Sequence, residues 1–183
     1  SALTLAVAVT IGMAVMVDSF RATFVQWLSF YLAADVYVTS PAQDLPLPPE
    51  VVSRLREAPG AEASYLFRRV TVGTDGDPVV VAALQYDARN RSSLRFAQGD
   101  AEEAWQGFER GEVLVSEPLA WRRGLAPGSE IRLLTPEGMR PFRVAGVYFD
   151  YGTDRGVVMM DLAAYRRLWG DPAVNSVAFL AAP

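Results

Sequence analysis

"LTLAVAVTIGMAVMVDSF", residues 3–20, opens this chain and decides how the rest of it is arranged. The first charged side chain is that of Asp18, so the 16 residues from Ala2 to Val17 carry no charge. Only three residues interrupt the apolar run: Thr4, Thr10 and Gly12. A membrane-spanning helix needs about 20 apolar residues, with a lower limit near 17. The stretch is therefore either part of a membrane helix or a helix buried in a protein core.

The distribution of apolar side chains favours the membrane helix. The stretch is apolar on every face, whereas a helix on the surface of a soluble domain is apolar along one stripe. A domain of this size has little room to surround such a helix. A signal peptide would begin with basic residues and end in a small-x-small cleavage site. No Arg precedes the stretch, and Ala14-Val15-Met16 breaks the cleavage pattern. We expect a membrane helix, with burial in the core as the alternative.

Beyond Asp18 the pattern changes from apolar on all faces to apolar on one stripe. Large apolar side chains now recur at spacings of three, four and seven residues, which is typical of a helix with one packed face. These side chains are Phe20, Phe24, Trp27, Leu28 and Tyr31. The pattern predicts a stalk helix that leaves the lipid and packs against a soluble domain.

The composition limits the chemistry that the chain can perform. It has 183 residues without His or Cys, which removes the common nucleophile–base pairs, thiolate chemistry and nearly all structural zinc sites. All 17 basic residues are Arg, and the net charge is -4. The arginines are scattered along the sequence without forming a stripe, which argues against binding to nucleic acid. The lack of Cys fits the cytosol and a bacterial extracytoplasmic domain equally well.

The first half of the compact part predicts one strand–helix–hairpin unit. Residues 34–40 are predicted to form a strand, and Pro49 to begin a helix that stops at Pro59-Gly60. Residues 64–87 form two β-rich runs around Asp75-Gly76, a strong hairpin signal.

Residues 87–110 are less regular. A polar loop is expected first, and then a short helix with Asp100 as its cap and Glu103 three residues later, as in a capping box. Asp100, Glu102 and Glu103 form an acidic trio, but the favourable electrostatics of a helix start explain it without a metal.

The second half repeats the unit. Residues 111–116 are predicted to form a strand, and Ser116 to cap a helix that ends at Gly124. A hairpin with its turn at 136–138 follows, then a strand at 156–161, a helix from Asp161 to Gly170 and a last strand at 175–182. The predicted class is α+β, with strand–helix–hairpin units forming mixed sheets after a long N-terminal helix.

Two places in the sequence resemble sites of chemistry. Asp150, Asp154 and Arg155 lie on one loop, and two carboxylates can support acid–base catalysis. Nothing in the sequence fixes their separation, and Asp and Gly in a loop are explained by turn geometry. Ser116-Glu117 is likewise interpreted as a helix start and not as a nucleophile with a carboxylate.

No catalytic, cofactor-binding or metal-binding residue is therefore predicted. Two alternatives stay open. One is a small carboxylate-dependent hydrolase that uses Asp150 and Asp154, and the other is a free-standing binding module whose N-terminal helix is buried.

Three segments, in this order, resemble a known family. They are LAVAVTIGMAVMVDSFR (5–21), GEVLVSEPLAWRRGLAPGSEIRLLTPEG (111–138) and FRVAGVYFDYGTDRGVVMMDLAAYRRLWGD (142–171). Together they resemble ABC transporter permeases of the FtsX-like family that carry a MacB-like extracytoplasmic core domain. The resemblance covers most of the chain, and residues 87–110 correspond to a place where the family carries a variable insertion.

The resemblance implies an architecture. Residues 1–34 would be the end of the first transmembrane helix and the stalk helix. Residues 35–183 would be the core domain between the first and second membrane helices, on the extracytoplasmic or periplasmic side of the bacterial inner membrane.

The resemblance also implies a function without catalysis or a cofactor in this domain. The domain would couple motion driven by ATP hydrolysis to substrate export or extraction, or to a partner outside the membrane such as a cell-wall hydrolase. The implied partners are the lipid bilayer, a separate cytoplasmic ATPase subunit, a second permease copy or half, and an extracytoplasmic substrate or adaptor.

Overall fold

A computed structural model describes residues 2–31, 34–42, 45–57, 61–85, 91, 94–150, 152 and 156–181. The helices are α1 (Ala2–Tyr31), α2 (Pro49–Arg56), α3 (Ala101–Glu109), α4 (Glu117–Arg123) and α5 (Leu162–Trp169). The strands are β1 (Val36–Thr39), β2 (Ala61–Val72), β3 (Val79–Leu84), β4 (Phe96–Gln98), β5 (Val113–Ser116), β6 (Glu130–Thr135), β7 (Gly138–Tyr148), β8 (Val157–Asp161) and β9 (Ser176–Ala181).

One mixed sheet organises these elements. Its strand order is β1-β9-β2-β3-β8-β5-β7-β4, and β6 pairs with the first half of β7. β3 with β8 and β5 with β7 are parallel pairs, and the other neighbours are antiparallel. The two predicted strand–helix–hairpin units are present as β1-α2-β2-β3 and β5-α4-β6-β7. The α+β class and the mixed sheet are therefore confirmed.

The helices after α1 lie on both faces of the sheet. The main core packs α2, α4 and α5 against side chains such as Val81, Val115 and Val158, which are fully buried. On the opposite face α3 contacts β5, β7 and β8. Gly107 and Gly146 allow this approach, because a Cβ at Gly146 would lie 2.9 Å from the Ala104 side chain. Next to α3, the part of this face formed by β1, β9, β2 and β3 carries a groove.

Helix α1 is continuous over 30 residues, about 45 Å at 1.5 Å per residue. Every side chain from Ala2 to Val25 is exposed, and this segment is long and apolar enough to cross a membrane. The alternative that the helix is buried in the core is therefore wrong for these residues. Phe20 and Phe24 stack on each other at 6.0 Å and stay exposed, so their predicted packing on the domain is also wrong. The side chains of Trp27 and Tyr31 lie outside the described part.

Most predicted starts and turns occur where expected. Asp100 caps α3 by accepting from the amides of Glu102 and Glu103, and Asp161 caps α5 by accepting from the amide of Ala164. Helices α4 and α5 end at Gly124 and Gly170 with φ of 63° and 64°, the left-handed region that favours glycine. The β2–β3 and β6–β7 hairpins are both present. The predicted stop of α2 at 59–60 lies outside the described residues.

Strand β4 was not expected, because residues 87–98 read as a polar loop. Phe96 pairs with Tyr148 at the end of β7, and its ring meets Trp105 of α3 edge to face at 5.9 Å. Contacts with residues distant in sequence therefore determine this strand, and the local sequence pattern does not indicate those contacts.

Ser116 occupies the N-cap position of α4, as predicted, but its side chain makes no capping hydrogen bond there. Its hydroxyl is fully buried and accepts a hydrogen bond of 2.9 Å from the amide of Val157. The β5–β8 pairing runs through Leu114 and Val115, and Ser116 follows directly. The side chain thus satisfies a backbone amide at the point where the ladder ends.

A partly buried carboxylate joins α5 to β2. Asp171 Oδ2 accepts from Arg68 Nε at 2.8 Å and from the Tyr165 hydroxyl at 2.9 Å, and its Oδ1 accepts from the amide of Ala173. Burial by itself raises the pKa of Asp171, but these hydrogen bonds and the charge of Arg68 outweigh it and lower the pKa. Burial, aided by the bond to Asp171, raises the pKa of Tyr165 to about 12.

Replacing Ser116→Ala is expected to lower the free energy of unfolding by about 1–3 kcal/mol, because it leaves the buried Val157 amide without an acceptor. Urea denaturation of the chain in uncharged detergent measures the loss, and hydrogen exchange at Val157 should accelerate. Ser53→Ala, at an exposed position of α2, is the control, and its free energy of unfolding should change by no more than about 0.5 kcal/mol. A loss of stability without faster exchange at Val157 would show that Ser116 acts through α4 instead.

Replacing Asp171→Asn is expected to lower the free energy of unfolding by about 1–3 kcal/mol at pH 7. The lowered pKa of Asp171 stabilises the fold at pH values above 3.8, the ordinary pKa of an aspartate, and this contribution disappears as the pH falls through the folded-state pKa. Denaturation curves at pH 7 and pH 3 should therefore differ less between variant and parent at the lower pH. Asp75→Asn is the control, since its 3.5 Å pair with Arg132 is exposed. A difference that is equal at both pH values contradicts the prediction.

Candidate functional site

A groove of about 320 Å³ crosses the sheet face beside α3. Its floor contains the small residues Ala82, Ser176 and Ala178. Aromatic side chains surround this floor: Tyr37, Tyr65, Phe67 and Tyr148. The strand registers place Ala178 between Tyr37 and Tyr65, so a small residue lies between two large ones on the same face. The volume is at the lower end of the range for small-molecule sites.

Three charged residues line the groove: Arg68, Arg69 and Asp150. Arg69 Nε is buried and has no hydrogen-bond partner within the described part of the chain. Arg68, its neighbour on β2, binds Asp171 instead. Asp150 is 5% exposed, and its Oδ1 accepts from the amide of Gly152 at 2.8 Å. This bond is the turn geometry that the sequence predicted for an Asp in this loop.

The residues of the hydrolase hypothesis are only partly described. Asp150 lines the groove, whereas Asp154 and Arg155 lie outside the described residues. The described residues therefore do not define the distance between the Asp150 and Asp154 carboxylates, and the hydrolase hypothesis stays a prediction. Ser116 is fully buried and bonded to Val157, so its hydroxyl does not reach a substrate, and Glu117 is exposed.

The acidic trio at the start of α3 has a structural role. Asp100 Oδ1 accepts from two backbone amides, at 2.9 and 3.0 Å. Glu102 accepts from Gln106 one turn later. Over the described ranges, no group of three or more acidic residues is arranged to hold a metal ion.

The groove could not be located from the sequence. Alternation along β2 and β3 predicts two faces, but it does not say which part of a face a helix covers. The alternation of large and small residues on β2, β3 and β9 was the available signal, and it becomes informative only once the strand order is known.

The two ends of the compact domain lie together. Asp35 donates its amide to the carbonyl of Phe179 at 2.9 Å, and Val36 pairs with Phe179. Ala181, at the end of β9, pairs with Ala61 at the start of β2. The start of β1, which follows α1, and the end of β9 are thus neighbours at one end of the sheet.

Comparisons with known proteins agree with this architecture. A family model described as the MacB-like periplasmic core domain matches residues 1–183. An uncharacterized ABC transporter permease protein of Mycobacterium tuberculosis is 34% identical over 187 residues, which cover 97% of this chain. This chain spans 22% of the length of that relative.

One solved structure is similar in fold. The extracellular domain of the noncanonic ABC-type transporter YknZ from Gram-positive bacteria superposes with a TM-score of 0.55 and 11% identity, over 80% of this chain and 82% of that one. The periplasmic region of MacB from Actinobacillus actinomycetemcomitans gives a TM-score of 0.49 and 10% identity, over 80% and 73%. The match of the family model over the whole chain is decisive: the chain belongs to the family of MacB-like periplasmic core domains of ABC transporter permeases.

Proposed function

We propose that α1 anchors this domain on the extracytoplasmic side of the cytoplasmic membrane. The domain passes ATPase-driven motion of the permease to a substrate or partner on that side. The observation that carries the proposal is the exposed apolar surface of α1 from Ala2 to Val25. An apolar surface of this size is unfavourable in water and is stable in lipid. ABC transporter permeases are not a family of catalytic enzymes, and the proposal assigns no catalysis to this domain.

The charges on α1 set the proposed membrane boundary. A charged side chain at the centre of a bilayer costs about 2.5–3.5 kcal/mol, so Asp18 and Arg21 belong at the headgroup level. Leu3–Val17 then occupy the hydrocarbon. The 14 residues from Asp18 to Tyr31 form a stalk of about 20 Å. The proposed division into residues 1–34 and 35–183 lies between the end of α1 at Tyr31 and the start of β1 at Val36.

The pairing of β1 with β9 supports the mechanical part of the proposal. Backbone hydrogen bonds join β1 to β9, and β9 to β2, so a displacement at the end of α1 reaches the sheet directly. The end of β9 lies beside the same point, which suits a domain inserted between two membrane helices. The cytoplasmic ATPase, the second permease copy or half and the extracytoplasmic substrate or adaptor are partners that the proposal requires.

The proposed location is tested by cysteine labelling of the full-length permease in spheroplasts, in which the envelope layers outside the cytoplasmic membrane have been opened. These 183 residues contain no Cys, so any Cys elsewhere in the full-length permease is first replaced, and single sites are introduced at Glu137 in the β6–β7 turn and at Val9 in α1. A maleimide that cannot cross membranes is expected to label Glu137→Cys in intact cells, whereas Val9→Cys, within lipid, is not labelled. Labelling of Glu137→Cys only after permeabilisation would place the domain in the cytoplasm and refute the proposal.

The proposed coupling is tested with spin labels at Ser19→Cys and Glu137→Cys in the full-length permease with its ATPase in lipid nanodiscs. The distance between the labels is expected to change by several ångströms when ATP and vanadate are added. Thr23→Pro should abolish the change while ATP hydrolysis continues, because proline interrupts the helix at its i−4 hydrogen bond.

Thr23→Ala is the matched control and should keep the distance change, since alanine preserves the helix. An ATP-independent distance in the parent protein refutes coupling through α1. A normal change in Thr23→Pro shows that the stalk need not be a continuous helix.

A further inference from the structure

A second pocket, of about 340 Å³, lies between β7 and α5 beside the chain segment that leads into β5. Its charged lining is mostly basic, with one acidic residue, Glu112. The basic residues are Arg110, Arg140, Arg143 and Arg167. These arginines are distant in sequence, so the fold, and not a basic segment, creates the cluster.

Three of these arginines have no neutralising partner among the described residues. Arg110 Nη2 lies 3.3 Å from Glu112 Oε1. Throughout the part of the chain that the structure describes, Arg140, Arg143 and Arg167 form neither an ion pair nor a side-chain hydrogen bond. Glu130 is the cross-strand partner of Arg143, yet the two side chains make no ion pair. The pocket therefore has an excess of three positive charges in a chain whose net charge is -4.

The pocket combines these charges with an apolar wall. Phe142 and Leu168 line it between the arginines, and Phe142 stacks on Trp169 at 5.9 Å. Guanidinium groups bind phosphate oxygens through paired N–H donors, more specifically than an ammonium group does. Several like charges in one pocket repel one another, and a bound anion removes this repulsion.

The strand directions give the position of the pocket. β1 and β2 run in the same direction, because β9 lies between them and is antiparallel to both. β3 is antiparallel to β2 and parallel to β8, and β5 is antiparallel to β8, so β5 also runs in the direction of β1. The registers, however, place Val113, the first residue of β5, about level with Thr39 at the end of β1, and not with Val36, where β1 follows α1. Arg110 and Glu112 come directly before Val113.

We propose that this arginine pocket binds a phosphate group. Two sources have this chemistry: the headgroup of an anionic phospholipid and a soluble phosphate compound. The lipid source rests on the proposed function, whereas the affinity of the pocket for phosphate does not.

The test uses the full chain in uncharged detergent. Inorganic pyrophosphate, dihexanoyl phosphatidylglycerol and dihexanoyl phosphatidylcholine are titrated separately, and tryptophan fluorescence, to which Trp169 next to Phe142 contributes, reports binding. The parent protein is expected to bind pyrophosphate, and phosphatidylglycerol more tightly than phosphatidylcholine. The combined replacement Arg143→Gln and Arg167→Gln should weaken both interactions at least about tenfold, given roughly fivefold per arginine near an anionic surface.

A matched control distinguishes binding in the pocket from general electrostatic attraction of anions to surface arginines. Arg54→Gln with Arg56→Gln on α2 makes the same change in net charge at exposed positions away from the pocket. The control should bind like the parent protein, and equal thermal unfolding midpoints confirm that both double variants fold.

Loss of binding to the same extent in the control overturns the proposal, and so does a parent protein that binds neither anion. Binding of pyrophosphate without preference for phosphatidylglycerol supports the phosphate site and assigns it to soluble compounds. If cysteine labelling places the domain in the cytoplasm while the pocket still binds phosphate, the proposed function fails and the phosphate site remains.

Discussion

The antiparallel pairing of β1 with β9 is the constraint on which the arrangement of this protein depends. It joins the first strand of the domain to the last, so that the end of α1 and the end of the domain meet at one end of the sheet. The groove opens beside Tyr37 of β1.

Features that depend on a few neighbouring residues could be predicted from the sequence. The exposed helix α1 follows from its uncharged composition, the caps Asp100 and Asp161 from residue type, and the stop of α5 at Gly170 from the backbone freedom of glycine. Features that depend on distant contacts could not be predicted. Strand β4 forms because Phe96 meets Tyr148, and Ser116 bonds to Val157 across two strands.

The two surface sites show the same division between local and distant information. The residues of the groove belong to strands whose alternation was visible, but the sequence does not give the strand order that leaves this part of the face beside α3. The arginines at 110, 140, 143 and 167 looked scattered, and that observation correctly argued against a linear basic stripe. It gave no information about a cluster made by β7, α5 and the segment before β5.

The β1–β9 pairing also constrains the order of events during synthesis. Thr39 and Ser176, which share a hydrogen bond across these strands, are 137 residues apart in the chain. A ribosome adding about 5–20 residues per second needs on the order of ten seconds to cover that distance. During this interval β1 exists without its neighbour, and an unpaired strand edge can associate with other chains. The nascent domain therefore completes its sheet only when its last strand emerges, long after its apolar leading helix has been made.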